Sequence, residues 1–428
     1  MSRPSPRTRP ATYGQVFAVR EFRPLFGSYL LSAIGDELAR LALTVLVFQR
    51  TQSTLLAAIT FGISYLPWVL GGPILSSLAD RYPRHRILIA SDTARALLVA
   101  TMAVPGMPLP VLLGLLLVVS LCAPPFESAR SALMADILTG DRYAVGNSVV
   151  GIAQQIAQVV GFLIGGALLV WLAPSGVLLI NALAYASSAL WLFRGLVRRP
   201  AADAEGGADS SFWRDTTAGL TFIARTPRLL AIVVLLWAGM LFLTSPEGVA
   251  TGLARELGGS TATTSLLLAA NPAGVVIGGV LVGRFSSPER REKLLVPLVL
   301  LSLAAVLLAG LAPRVLPEGG PSVAAVVSLY VLAGIGGAWS IPLNVAFVQA
   351  VPNAFRGRAF GVAVAGLSGV QGLGIVLAGL AAEGVLPSDV VAAAGGLGLL
   401  AVIVPLIRLV RTRPRVDDPA PAAGPSGA

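Results

Sequence analysis

The sequence predicts an all-α membrane protein with twelve transmembrane helices arranged as two pseudo-symmetric six-helix halves, and three observations predict it. Of 428 residues, 55% are hydrophobic and only 12% charged, with a mean hydropathy of +0.80. A soluble domain carries about 25% charged residues. Uncharged runs recur along the whole chain, each near the ~20 residues that cross a hydrocarbon core. The basic residues cluster in short connections between these runs, as positive-inside orientation requires.

Flanking charges and helix breakers place the spans near 25–48, 54–78, 87–106, 109–127, 145–172, 175–194, 229–251, 260–283, 294–312, 322–345, 359–382 and 387–408. Residues 143–193 hold no charge, too long a run for one helix, and 173-APSG-176 divides it because Pro and Gly end helices. The expected organisation is a cytoplasmic tail (1–24), a first half (25–194), a cytoplasmic central loop (195–228), a second half (229–410) and a disordered cytoplasmic tail (411–428). The second part of the central loop predicts a short interfacial helix with Phe212, Trp213, Leu220 and Phe222 on the membrane surface. With both termini inside, all but five of the 31 Lys and Arg residues fall on the cytoplasmic side. Arg50, Arg255 and Arg314 fall outside, and Arg40 and Arg95 fall within spans. Abundant Ala, Gly and Arg with one Lys suggest a GC-rich genome, so a bacterial plasma membrane is the expected location.

Single residues exclude several chemistries. Cys122 is the sole cysteine and His85 the sole histidine, which excludes an intramolecular disulfide and argues against His/Cys metal sites and Cys–His nucleophiles. The one lysine, Lys293, sits in 289-ERREKLL-295, so no phosphate-binding loop exists, and no cofactor is expected. A net charge of +10 raises nucleic acid as a partner, but the arginines lie between spans rather than on one face, and no nucleic acid is expected. The N-terminus has no apolar core before a small-residue cleavage site, so no signal peptide is expected. The halves also echo each other: 80-DRYPRHR-86 corresponds to 283-GRFSSPERR-291, and 134-MADILTGDRYAVGNSVVG-151 to 348-VQAVPNAFRGRAFGVAVAG-366.

The stretch after span 2 resembles the loop signature of the major facilitator superfamily, Gly-x-x-x-Asp-Arg/Lys-x-Gly-Arg/Lys-Arg/Lys. Asp80, Arg81 and Arg84 match, His85 stands at the last basic position, and Ser76 and Pro83 replace the glycines. Three further pieces, 35-GDELARLAL-43, 125-PFESARSAL-133 and 352-PNAFRGRAFG-361, resemble the drug, macrolide and siderophore exporters of that family. In span 5, Gly161, Gly165 and Gly166 remain of an exporter motif whose proline is Phe162 and whose first glycine is Ala157. The resemblance implies a secondary transporter, with a small-molecule substrate, protons as coupling ion, the lipid bilayer as surroundings and a monomeric state. It implies that Asp80 caps the N-terminus of span 11 when the inner face is closed, and that Asp80, Arg81, Arg84, Arg356 and Arg358 take part in gating. Arg84, His85 and Arg86 also read as positive-inside anchors, with Arg84 and Arg86 holding lipid phosphates or nearby acids.

Within the spans, polar residues in lipid suggest an ion or substrate path by default. Tyr29, Ser32, Asp36 and Arg40 recur at spacings of three and four and form one stripe on span 1. Two readings are open: Asp36 takes the proton, or Asp36 and Arg40 form an internal pair that fixes packing. Glu37 points about a quarter-turn away. Glu247, with Thr244 and Thr251, is the corresponding acid of span 7. Asn271 before Pro272 and Asn344 after Pro342 either satisfy carbonyls freed by proline or touch substrate. Asp92 with Arg95, and Glu127 with Arg130, read as structural pairs three residues apart. Asn147, Gly151, Gln154, Gln158, Gly161, Gly165 and Gly166 in span 5, with Gly366, Gly369, Gln371 and Gly372 in span 11, predict the sliding seam between halves.

The combined expectation is a proton-coupled exporter of small amphipathic or apolar molecules, not an enzyme. A nutrient importer is the alternative within transport, and a non-transporting receptor or accessory subunit the alternative outside it. Single cysteines introduced within 80–86 and within 284–293 are expected to react with an impermeant reagent from the same face of the membrane; labelling from opposite faces contradicts the topology.

Overall fold

The computed structural model describes residues 11–70, 82–200, 212–352 and 355–412, and these fold into helices joined by short turns. The first half comprises α1 (Phe22–Thr51), α2 (Thr54–Val69), α3 (Arg84–Met102), α4 (Leu109–Ile137), α5 (Asp141–Trp171) and α6 (Pro174–Gly195). The second comprises α7 (Pro227–Gly248, resuming as Ala250–Glu256), α8 (Thr261–Phe285), α9 (Pro288–Leu311), α10 (Gly320–Ala350), α11 (Arg356–Ala381) and α12 (Pro387–Arg411).

Among the described residues, nine of these helices are long and apolar enough to cross a membrane. The exceptions are informative. α1 carries Asp36, Glu37 and Arg40 near its middle, and α3 carries Asp92 and Arg95. The described part of α2 is short, and its expected continuation lies outside the described residues. Several helices also run past the predicted spans: α4 reaches Ile137 and α3 begins at Arg84. Charge bounds the hydrocarbon layer but does not end a helix, so Asp92 and Arg95 sit two turns inside α3 rather than at its start.

Consecutive helices run in opposite directions, so the bundle has a terminal end, carrying the starts of α1, α3 and α7, and a loop end, carrying the α1–α2, α7–α8 and α11–α12 turns. Within the first half α6 packs on α1 and α3, and α5 packs on α1. Within the second, α8 packs on α10, α9 on α10 and α12, and α7 on α11 and α12. The halves meet where α5 crosses α8 and α2 crosses α11.

Close crossings use glycine. A Cβ on Gly274 of α8 would stand 2.8 Å from the Cα of Gly334 in α10, so the two backbones touch. α7 is interrupted by Pro246, which removes one backbone donor, and the chain restarts after Val249. Gly248 at this break lies against the backbone of Ile375 in α11.

The helix Phe212–Arg225 of the central loop turns Phe222 toward the second half. Phe222 stacks on Phe355, with ring centroids 4.6 Å apart, and Gly219 abuts the carbonyl of Arg358. Leu220 is exposed, and the side chains of Phe212 and Trp213 lie outside the described residues.

Overpacking a backbone crossing forces helices apart at a cost of about 1–3 kcal/mol. Gly274→Leu or Gly334→Leu is therefore expected to lower the Tm of the purified protein, whereas Gly283→Leu, at a position with open space beside it, leaves the Tm unchanged in the same thermal unfolding scan.

Candidate functional site

The stripe of α1 faces a cavity of about 320 Å³ enclosed by α1 to α6, and Tyr29, Ser32, Asp36 and Arg40 all stand on its wall. Apolar side chains, among them Leu43, Trp68, Met102, Leu116 and Phe126, form much of the remainder. Apart from Asp36, the charged residues around it fall in three groups, each an arginine and an acid three residues apart on one helix.

The first group is Glu37 and Arg40 of α1. Glu37 is 2% exposed, and the Nη1 of Arg40 lies 3.2 Å from its Oε2. Arg40 also stands over the rings of Phe61 and Tyr65, at 5.2 and 5.9 Å from their centroids. An aromatic face stabilises a guanidinium most where water is excluded. Arg40 thus pairs with Glu37 rather than Asp36, which decides against the Asp36–Arg40 pair that was one of the two readings. The hydroxyl of Tyr185 in α6 donates instead to Asp36.

In the second group, Asp92 and Arg95 of α3 are 3.5 Å apart and are 0% and 3% exposed. Asp92 accepts from Ser188 at 2.5 Å and from Ser32 at 3.2 Å, and Arg95 lies over Phe126 at 5.0 Å and Tyr185 at 5.6 Å. In the third, Arg130 of α4 bonds Glu127 at 2.5 and 3.1 Å and covers the ring of Tyr29 at 4.5 Å. Tyr29 donates in turn to Gln154 of α5.

Small residues permit this convergence. A Cβ on Gly161 of α5 would stand 2.6 Å from the Cβ of Glu37, and one on Gly165 3.1 Å from Leu41. Gln158 faces the Glu37 carboxyl. Gln154, Gln158, Gly161 and Gly165 therefore face α1 of their own half, which corrects their reading as a seam between halves. Gly166, the last of the span 5 glycines, meets the other half through Ser265 of α8. In α11, Gly369 and Gly372 do face α2, at Val69 and Tyr65.

Glu247 of α7 approaches from the second half and lies within electrostatic reach of Arg40 and Glu37. It borders a second void, of about 10 Å³, together with Asn271 and Tyr330. Asn344 is exposed and lines neither cavity. Among the residues expected in gating, Asp80, Arg81 and the side chain of Arg356 lie outside the described residues, and Arg358 is exposed. Arg84 is engaged by Asp136 and donates to the carbonyl of Ala132 at 3.3 Å.

Several polar wall residues escaped the sequence reading, among them Asn181 and Tyr185. Tyr185 and Asn181 lie one turn apart on α6, and Asn181 is fully buried with neither amide atom hydrogen-bonded. The signal for both was available, since they are polar residues inside an uncharged span.

A model described as the Major Facilitator Superfamily matches residues 25–251 and 244–427. The chain belongs to this superfamily. A Bacillus subtilis (strain 168) protein described as the uncharacterized MFS-type transporter YfiS is 27% identical over 84% of this chain and 86% of its own length. Macrolide efflux protein A of Streptococcus pyogenes is 21% identical over 91% of this chain and 96% of its own. A crystal structure of a POT family transporter in complex with 5-aminolevulinic acid superposes with a TM-score of 0.73 at 13% identity, covering 94% of this chain and 98% of that one. The superfamily assignment agrees with an all-α, multi-pass membrane protein.

Removing one member of a buried ion pair strands the other charge, at a cost of about 3–5 kcal/mol. Arg40→Ala is expected to destabilise the protein markedly in thermal unfolding, and Glu37→Gln/Arg40→Gln to recover much of that loss. Strict additivity of the single changes would show that Glu37 and Arg40 are not coupled.

Proposed function

We propose that this protein is an alternating-access exporter of small amphipathic or apolar molecules, driven by protons, in the plasma membrane with both termini cytoplasmic. The observation that carries this reading is a surplus of acid at membrane depth. Glu37, Asp92 and Glu127 each have an arginine three residues away. Asp36 and Glu247 do not, and they stand on the first helices of opposite halves. A carboxylate with no arginine of its own is costly in a dry interior, so these two acids suit reversible protonation or exchange with a cation.

Asp36 is placed to couple the two events, because it borders the 320 Å³ cavity and bonds to Tyr185. A molecule that displaces the Tyr185 hydroxyl, or a proton that neutralises Asp36, alters the same contact. Glu247 shares Arg40 with Glu37 across the interface between halves, so its protonation changes what holds α7 against α1. A wall that mixes apolar side chains with arginines already facing acids supports an amphipathic or apolar substrate rather than a phosphate ester, for which clustered uncommitted arginines would be needed. Efflux is supported by the relation to macrolide efflux protein A. Gating by Asp80, Arg81, Arg84, Arg356 and Arg358 remains part of the proposal, with Asp80 acting at the terminal end.

Inside-out vesicles containing the protein are expected to accumulate a lipophilic reporter when an acid-interior gradient is imposed, and to lose it when an uncoupler is added. Asp36→Asn is expected to abolish the pH dependence of this uptake while leaving the protein folded, and Glu247→Gln to reduce it. Uptake that needs no gradient, or that only right-side-out vesicles show, contradicts the exporter reading.

A further inference from the structure

Three hydrogen bonds that join the two halves converge on one turn. The α1–α2 turn at the loop end contains Gln52, the one non-glycine residue with positive φ among the described residues (φ 56°, ψ 16°). Such a conformation is uncommon for a residue with a side chain and persists where surroundings enforce it. The second half grips the turn from two sides. From the resumed stretch of α7, Arg255 donates to the side-chain oxygen of Gln52. From the α11–α12 turn, Oε1 of Glu383 accepts from the Ser53 hydroxyl at 2.8 Å and from the Leu55 amide at 2.9 Å.

These are bonds that α2 needs. The first amides of a helix have no partner within it. Ser53 is the N-cap and satisfies Leu56, while Glu383, from the other half of the molecule, satisfies Leu55. A carboxylate at a helix N-terminus is also favoured by the helix dipole. The bonds from the Leu55 amide and from Ser53 hold the Glu383 carboxyl below the usual carboxylate range, so it is ionised at neutral pH. Beneath the clasp the backbones are close: a Cβ on Gly379 of α11 would lie 3.2 Å from the Cα of Leu55, and one on Gly252 2.9 Å from Thr54. Both gripping side chains are exposed, whereas Glu37, Asp92 and Arg95 beside the cavity are buried. Water competes for an exposed bond, so the clasp can be released on the timescale of a transport cycle while the buried pairs persist.

We infer that Glu383 and Arg255 form a releasable clasp on the α1–α2 turn that holds the loop end shut, and that opening this end requires both to let go. The inference rests on the alternating-access reading above, with the loop end outermost, and adds the residues that time the opening. Arg314, Asp389, Glu256 and Arg50 at this end are engaged elsewhere, while Glu318 stands in the α9–α10 turn. Arg314 bonds Asp389 at 2.6 Å, Glu256 accepts from the Ser388 amide at 2.9 Å, and Arg50 donates to the carbonyl of Met107 at 2.7 Å.

The test uses the full chain in lipid nanodiscs with Cys122→Ala, spin-labelled at Leu172→Cys and Val315→Cys across the loop end, and separately at Val197→Cys and Phe285→Cys across the terminal end. In Glu383→Ala the population with a widened loop end is expected to rise about two- to fivefold, the range that an exposed polar contact supports. The terminal-end distance is expected to shorten in step. Ser53→Ala removes one of the two bonds to Glu383 and is expected to act in the same direction but more weakly, and Glu383→Ala/Arg255→Ala to exceed either. Unchanged distributions in all three overturn the clasp. Because the distances are read without substrate or gradient, they report on the clasp even if proton coupling proves wrong.

Discussion

Every feature of this protein's interior follows from the cost of placing charge in hydrocarbon. An arginine or carboxylate at that depth needs a partner, and the chain supplies one locally, three residues away on the same helix, in α1, α3 and α4. Spacing of three puts both side chains on one face, so pairing also sets which face of the helix turns inward. Aromatic rings from neighbouring helices then cover each guanidinium, Phe61 and Tyr65 over Arg40, Phe126 and Tyr185 over Arg95, and Tyr29 beneath Arg130. The charged residues thus orient three helices of the first half around one cavity.

The approach of the other helices depends on what is missing. Gly161 and Gly165 bring α5 against α1, and Gly35 leaves the space that Asn181 of α6 occupies. With that packing complete, Asp36 and Glu247 remain the acids without an arginine of their own, and both lie where the halves or the cavity can act on them. The contacts differ in strength as their burial differs. Pairs sealed in the first half behave as scaffold, whereas the bonds to the α1–α2 turn face water and are weak enough to exchange.

Much of this architecture was legible in the sequence. The alternation of apolar runs with basic turns marks where helices lie, and the Tyr29, Ser32, Asp36 and Arg40 periodicity marks the wall of the cavity, because both are properties of a single helix. The partner of Arg40 was not legible. Asp36 and Glu37 stand at four and three residues from it, both compatible with an ion pair, and the choice depends on Gly161 of α5 packing against Glu37. Gly161 and Gly165 of α5 turn to α1 rather than to the other half for a related reason. A glycine stripe announces that some helix comes close and carries no sign of which one.

Glu383 shows the limit most plainly, since nothing in its neighbourhood along the chain points to Ser53 or Leu55, some 330 residues away. Composition, hydropathy and charge asymmetry by themselves determined that this is a helical membrane protein, how its spans alternate and which polar residues sit at depth, because lipid acts on each segment separately. Only the tertiary structure decided which acid each arginine takes, which helices the small residues admit and where the halves hold one another. Those outcomes depend on distances between segments that share no local pattern.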